Sequence, residues 1–190
     1  VATASSVSKR KRPRRPGPAV SVLRVGHRVG RDPRLTTHLA LAARALGAER
    51  MYLEPPDPEL SARVADVVQG WGGEFEVIGV DDWKKVVRSS DAFVAHLTMY
   101  GLPLERVLPR LRRERKILLV VGGAKVPPEL YRLSDVNVGV GHQPHSEVAA
   151  VAVVLDRLLG LPPPGRLPGG ARAVVPRARG KKLVEHRGKR

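Results

Sequence analysis

The 190-residue chain contains no cysteine, which excludes disulfides, cysteine-ligated zinc, iron–sulfur clusters and thiol nucleophiles. Aromatic residues are scarce (two Trp, three Tyr, two Phe), and the only side-chain amides are Gln69, Asn137 and Gln143. Few thermolabile groups together with many prolines fit a heat-adapted proteome. There is no run of about 18 apolar residues of the kind a membrane span needs. The first twenty residues carry no apolar leader segment either, so the expectation is a cytoplasmic protein with no membrane partner. The phosphate-loop pattern G-x-x-x-x-G-K-[ST] is absent, which argues against a P-loop nucleotidase. The dinucleotide fingerprint is missing too, because Gly26 and Gly30 are wrongly spaced and Gly139-Val140-Gly141 runs into Pro144. The six histidines show no metal-ligand spacing, so no metal is expected. His142 and His145, separated by a proline, read as capping or pocket-wall residues.

What is present is a 42% hydrophobic content, enough for a real core, and a formal charge of +16 that is unevenly spread. Residues 1–18 hold six Lys/Arg and no acid, and residues 166–190 hold nine against Glu185, so the remaining chain is nearly neutral. Cationic ends on a neutral body suit a polyanion such as RNA, whose condensed counterions are released on contact. A non-catalytic RNA binder would need nothing more than these ends.

The chain divides into three parts. Residues 1–18, rich in Pro and Arg, should be a disordered basic extension. Residues 19–160 alternate strand and helix patterns: Val20–Val25, a helical face from Leu35 to Leu46, Met51–Leu53, Ala62–Trp71, Phe75–Val80, Trp83–Arg88, Ala92–Leu97, Leu104–Arg113, Ile117–Val121, Val136–Val140 and a helix from His145 to Leu159. That rhythm defines an α/β fold with a mostly parallel sheet flanked by helices. Ile117–Val121, apolar throughout, belongs at its centre, and Pro127–Tyr131 reads as a short turn. Residues 161–190 form a basic tail in which Ala171–Val175 and Lys182–Val184 read as a short hairpin around Pro176–Gly180.

In a parallel sheet the carboxyl ends of the strands share one edge, where ligands bind. Four loops fall there. Gly26–Arg34 carries Arg28, Arg31 and Arg34, preceded by Arg24 and followed by the helix start Thr36-Thr37-His38; guanidiniums beside free helix N–H groups make a phosphate site, unless they pair with Asp32. The other three, His96–Gly101, Gly122–Pro127 and Gly141–Glu147, each hold a glycine that lets main chain approach a small ligand. A pure RNA binder has no use for them.

The stretches Leu23–Arg28 with Arg31–His38, His96-Leu97-Thr98-Met99-Tyr100-Gly101 and Gly141–Glu147 resemble the archaeal tRNA cytidine 2′-O-methyltransferases of the SPOUT superfamily, which act on the TΨC-loop cytidine. The resemblance runs from Val20 to Glu185. It implies a trefoil knot within Ile117–Leu159, a homodimer, tRNA as partner and S-adenosylmethionine as cofactor. The cofactor contacts it implies are Leu97, Gly122-Gly123-Ala124-Lys125-Val126 and Val140-Gly141-His142-Gln143-Pro144-His145-Ser146-Glu147. Two departures stand out: Gly122-Gly123-Ala124-Lys125 replaces the family's Gly-Ala-Glu-Lys, and Gly141-His142-Gln143-Pro144 replaces its Gly-Asn-Gln-Pro. Related ribose methyltransferases use an arginine at the 2′-hydroxyl, so Arg34 is the first candidate there, with His38 and Arg31 competing. Arg24 and Arg28 are then phosphate ligands, and Lys181 and Lys182 bind tRNA phosphates from the tail. A methyltransferase of this superfamily acting on another RNA nucleotide is the alternative.

Overall fold

The computed structural model describes residues 17–123, 125–161 and 167–185. All but the last two residues of the expected basic extension lie outside them, as does the proline run at 162–164. Eight strands and six helices follow in order: β1 (Ala19–Val25), α1 (Pro33–Ala45), β2 (Arg50–Leu53), α2 (Pro58–Trp71), β3 (Glu76–Gly79), α3 (Trp83–Ser89), β4 (Phe93–Pro103), α4 (Leu104–Leu111), β5 (Lys116–Gly122), α5 (Pro128–Leu133), β6 (Val136–Gly139), α6 (Glu147–Leu159), β7 (Arg172–Val174) and β8 (Leu183–Glu185). The first six strands form one sheet in the order β3-β2-β1-β5-β4-β6, and every pairing in it is parallel.

Strand alternation divides the core between two faces. Val20 and Val22 of β1 pack with Leu39 and Ala43 of α1, Leu60 and Val64 of α2, Leu104 and Leu111 of α4, and Val151 and Leu155 of α6. Leu23 and Val25 point the other way, against Trp83 and Val87 of α3 and Leu130 of α5. β5 is buried on both faces, as its apolar run requires, and lies between β1 and β4. Connections that step toward β3 use helices of the first face, and those that step toward β6 use helices of the second. All five crossovers therefore share one hand, as twisted parallel strands demand.

Local chemistry fixes where the helices start. Proline at the first helical position presets φ for α1 and α2. Asp57 caps α2 by accepting the Leu60 N–H at 2.9 Å, and Ser146 caps α6 by accepting that of Val148. These caps move two expected boundaries: α2 begins at Pro58 rather than Ala62, and α6 at Glu147 rather than His145. The expected turn at Pro127–Tyr131 is a short helix, α5. A further difference lies in β4. The segment expected to be a loop after Leu97 is an excursion within the strand, because Leu97 and Leu102 both pair with Val138 and Thr98–Gly101 bulge out between them. Gly101 permits this, since a Cβ there would overlap the backbone of Asn137 and Val138.

Beyond the main sheet, β7 and β8 pair antiparallel. This unit docks on the end of α2, with Gly73 N–H donating to Pro168 O at 2.8 Å and Ala171 N–H to Gly70 O at 3.1 Å.

Candidate active site

The strand order reverses direction between β1 and β5, so the loops that leave these two strands part there, at the carboxyl edge where open α/β sheets bind ligands. Beside this point lies a cleft of about 410 Å³. Its walls are the β4 bulge from His96 to Tyr100, the end of β5 with Gly122, Gly123 and Val126, Tyr131 of α5, and the segment from Val140 through Gln143–Glu147. All three glycine-bearing loops thus converge on one space. Leu97, Gly122, Gly123, Val126, Val140, Gln143, Pro144, His145, Ser146 and Glu147 line it as expected. Lys125, Gly141 and His142 do not, and Ala124 lies outside the described residues.

The two unusual histidines hold the walls. His142 Nε2 donates to Gly101 O at 3.1 Å, tying the loop after β6 to the β4 bulge. His145 Nε2 meets Val140 O at 2.5 Å, closing the same loop on itself. Among the described residues no cluster of His, Asp or Glu could hold a metal.

Sequence reasoning put His96 and Thr98 in a loop at the pocket edge without giving their side chains a role, and it did not bring Tyr131 there. His96 is fully buried. Its Nδ1 meets Asn137 Oδ1 at 2.8 Å, and its ring stands edge-on to Tyr131 at 4.7 Å between centroids. Asn137 Nδ2 in turn donates to Tyr131 O at 3.0 Å. Strand periodicity could have placed His96 inside, two residues from buried Val94, but the partnership with Asn137 depends on β4 pairing with β6.

Arg24 requires a correction. It is 1% exposed, because it continues the inward face of Val20 and Val22, and it is therefore no surface phosphate ligand. Its guanidinium lies between Glu147 at 3.5 Å and Asp32 at 3.9 Å, where α1 and α6 begin. Burial pulls its pKa below the usual arginine value, against the opposing pull of Glu147 and Asp32. A Cβ on Gly123 would meet only this guanidinium, at 3.7 Å, so Arg24 backs the cleft wall and links it to the arginine loop. Arg28 is held by Asp32 through two bonds, Nε–Oδ2 at 2.9 Å and Nη2–Oδ1 at 2.8 Å, yet stays half exposed. The pair raises the Arg28 pKa and holds the Asp32 carboxyl below its usual range. Arg31, Arg34 and His38 are exposed at the start of α1, and none of them lines the cleft.

The loop that carries them is firmly anchored. Gly26 N–H donates to the Glu54 carboxylate at 2.9 Å and His27 N–H to Glu54 O at 2.8 Å. Buried His27 spans Thr36 Oγ1 at 3.0 Å and Asp57 Oδ2 at 3.1 Å, joining the first turn of α1 to the cap of α2. Since β1 and β5 are neighbours, the arginine loop and the glycine loop after β5 stand side by side on the same edge.

This architecture is that of the SpoU-type RNA methyltransferases. A putative RNA methyltransferase from Bacillus anthracis superposes with a TM-score of 0.58 at 17% identity, over 76% of this chain and 96% of that one. The SpoU methyltransferase AviRb from Streptomyces viridochromogenes, in complex with AdoMet, superposes with a TM-score of 0.55 at 13% identity, over 76% and 58%. Within that class the profile of the tRNA ribose 2′-O-methyltransferases, aTrm56, matches residues 71–184. The tRNA (cytidine(56)-2′-O)-methyltransferase of Archaeoglobus fulgidus is 49% identical over 165 residues, spanning 87% of this chain and 98% of its own. That of Thermococcus kodakarensis is 45% identical over 174 residues, spanning 87% and 97%. The chain belongs to the aTrm56 family of tRNA ribose 2′-O-methyltransferases.

Proposed function

We propose that this protein transfers a methyl group from S-adenosylmethionine to the ribose 2′-hydroxyl of the TΨC-loop cytidine, position 56, of tRNA. The observation that carries the reading is the convergence of the three glycine-bearing loops on one cleft beside the arginine loop. The cleft residues fit the cofactor: Gly122 and Gly123 offer bare main chain, Val126 and Leu97 offer apolar surface, and Glu147 offers a carboxylate to a cationic group. Bound there, S-adenosylmethionine supplies an electrophilic methyl carbon.

The protein's part is to position the hydroxyl and manage its proton. Arg34 is the group we place at the 2′-oxygen, where its N–H donors stabilise the negative charge that develops as the proton leaves. Its pKa makes it a poor base. His38, one helical turn further on the same face of α1, and Arg31 are the competing candidates for this role, and a neutral imidazole is the simpler proton acceptor of the three. Arg28 and the exposed Lys181 and Lys182 contact RNA phosphates.

The reading includes a homodimer, a cytoplasmic setting, the three-part organisation 1–18, 19–160 and 161–190, and a trefoil knot. The knot is supported by α6, which packs directly on β4 and β5 although the connection from β4 to β5 passes through α4 on the same face. No helix among the described residues is long and apolar enough to cross a membrane. Incubation with methyl-labelled S-adenosylmethionine and unmodified tRNA transcript, followed by nucleoside mapping, tests the proposal. Label in 2′-O-methylcytidine at position 56 is expected; label at another nucleotide, or none, overturns it.

A further inference from the structure

One polar atom in the cleft wall has no partner. His96 Nε2 is shut off from solvent and, among the described residues, makes no hydrogen bond, an arrangement that is costly if nothing ever satisfies it. The neighbouring bonds fix what that atom is. Asn137 Nδ2 donates to Tyr131 O, so Asn137 Oδ1 is the atom that faces the ring. A carbonyl oxygen only accepts, so His96 Nδ1 carries the proton and Nε2 bears a lone pair. Burial lowers the imidazole's pKa and keeps the ring in this single-proton form at neutral pH.

Resting on the cofactor reading above, we propose that His96 is a ligand-binding residue whose Nε2 accepts an N–H of the molecule seated in the cleft. S-Adenosylmethionine carries two such donors, the adenine amino group and the α-ammonium. The cleft wall beside His96 is loosely tied. Thr98 Oγ1 and Tyr131 OH stand 3.4 Å apart, and Tyr100 N reaches Thr98 Oγ1 only at 3.5 Å, both long for hydrogen bonds. A ligand that displaces this hydroxyl pair reaches the imidazole while the Asn137 bond keeps the ring in place.

Calorimetric titration of the wild-type protein, His96→Leu and His96→Gln with S-adenosylmethionine tests this without any turnover. His96→Leu is expected to weaken binding about tenfold to hundredfold, the range an unpaired donor predicts, and His96→Gln, which keeps an acceptor, is expected to weaken it less. Repeating the comparison with 5′-methylthioadenosine, which has no ammonium, narrows the donor: a loss that persists places it on the adenosine part of the ligand, and a loss that vanishes selects the ammonium. In wild-type protein labelled with ¹⁵N-histidine, the His96 Nε2 resonance, identified by its absence from His96→Gln, should move when ligand is added. This measurement decides the matter even if His96→Leu does not fold. Wild-type protein that fails to bind S-adenosylmethionine overturns the cofactor reading and this inference with it. Wild-type binding with an unchanged His96→Leu affinity, or with an unmoved Nε2 resonance, overturns this inference alone.

Discussion

Arg24 in β1 and Arg34 in α1 are ten residues apart across one loop, yet the fold gives them opposite environments. Arg24 is buried between Asp32 and Glu147, while Arg34 is exposed in the first turn of α1. Substitutions should separate them. Arg34→Ala is expected to lower methyl transfer by about a hundredfold or more, as loss of a group stabilising a developing oxyanion does, and to leave cofactor affinity unchanged by calorimetry. Arg24→Ala should instead lower both cofactor affinity and thermal stability, because it leaves Glu147 without its cationic partner and Asp32 with Arg28 alone, at a cost below the ~3–5 kcal/mol of fully buried pairs, Glu147 being partly exposed. Near-normal turnover of Arg34→Ala would transfer the role to His38 or Arg31. The inward position of Arg24 was legible in the two-residue period of Val20 and Val22, but the arginine-rich loop that follows drew it toward a phosphate-binding reading. Its carboxylate partners were legible only in part: Asp32 lies eight residues on, whereas Glu147 is brought in by α6 from more than a hundred residues away.

At the scale of elements, the loop after β1 depends on the start of α2. Asp57 accepts from the Leu60 N–H with one oxygen and from His27 with the other, so Asp57→Ala removes a helix cap and leaves the buried His27 Nε2 without a partner, while Nδ1 keeps Thr36. The expected loss is about 2 kcal/mol, from a cap worth about 1 and a partnerless buried group worth at least as much, read by chemical denaturation. The pH dependence has a definite sign. The Leu60 N–H, assisted by His27, holds the Asp57 carboxyl below its usual value in the folded state. Its contribution is therefore fully present above the unfolded carboxylate pKa of about 3.9 and is lost as pH falls through the lower folded value. The stability gap between wild type and Asp57→Ala should narrow on acidification; a gap that is constant into strong acid would count against this account. The sheet itself was legible, because strands buried on both faces must be continuous apolar runs. The β4 bulge and α5 were not. The bulge arises from a register that exists only once β4 meets β6, and α5 is too short for a helical period to show.

Across the whole molecule, the arginine loop and the docking point of the β7–β8 unit lie at opposite ends of the sheet. The arginine loop leaves the carboxyl end of β1, whereas the β7–β8 unit docks where α2 ends, and α2 runs back to the amino edge. A 14-residue helix is about 21 Å long, and that length of α2 lies between the docking point of the β7–β8 unit and the carboxyl edge of the sheet. Phosphates held by Lys181 and Lys182 then belong to a part of the RNA away from the target nucleotide, whereas those held by the arginine loop lie beside it. The double substitution Lys181→Ala with Lys182→Ala should therefore weaken binding of full-length tRNA and reduce its log–log salt slope by about 0.7–0.9 for each phosphate no longer neutralised, with cofactor affinity unaltered. A short hairpin that carries only the TΨC loop should bind wild-type and variant protein alike. If the hairpin loses as much affinity as the full tRNA, the two basic regions act on one short stretch of RNA, which a single chain cannot arrange across its own sheet and a second copy could.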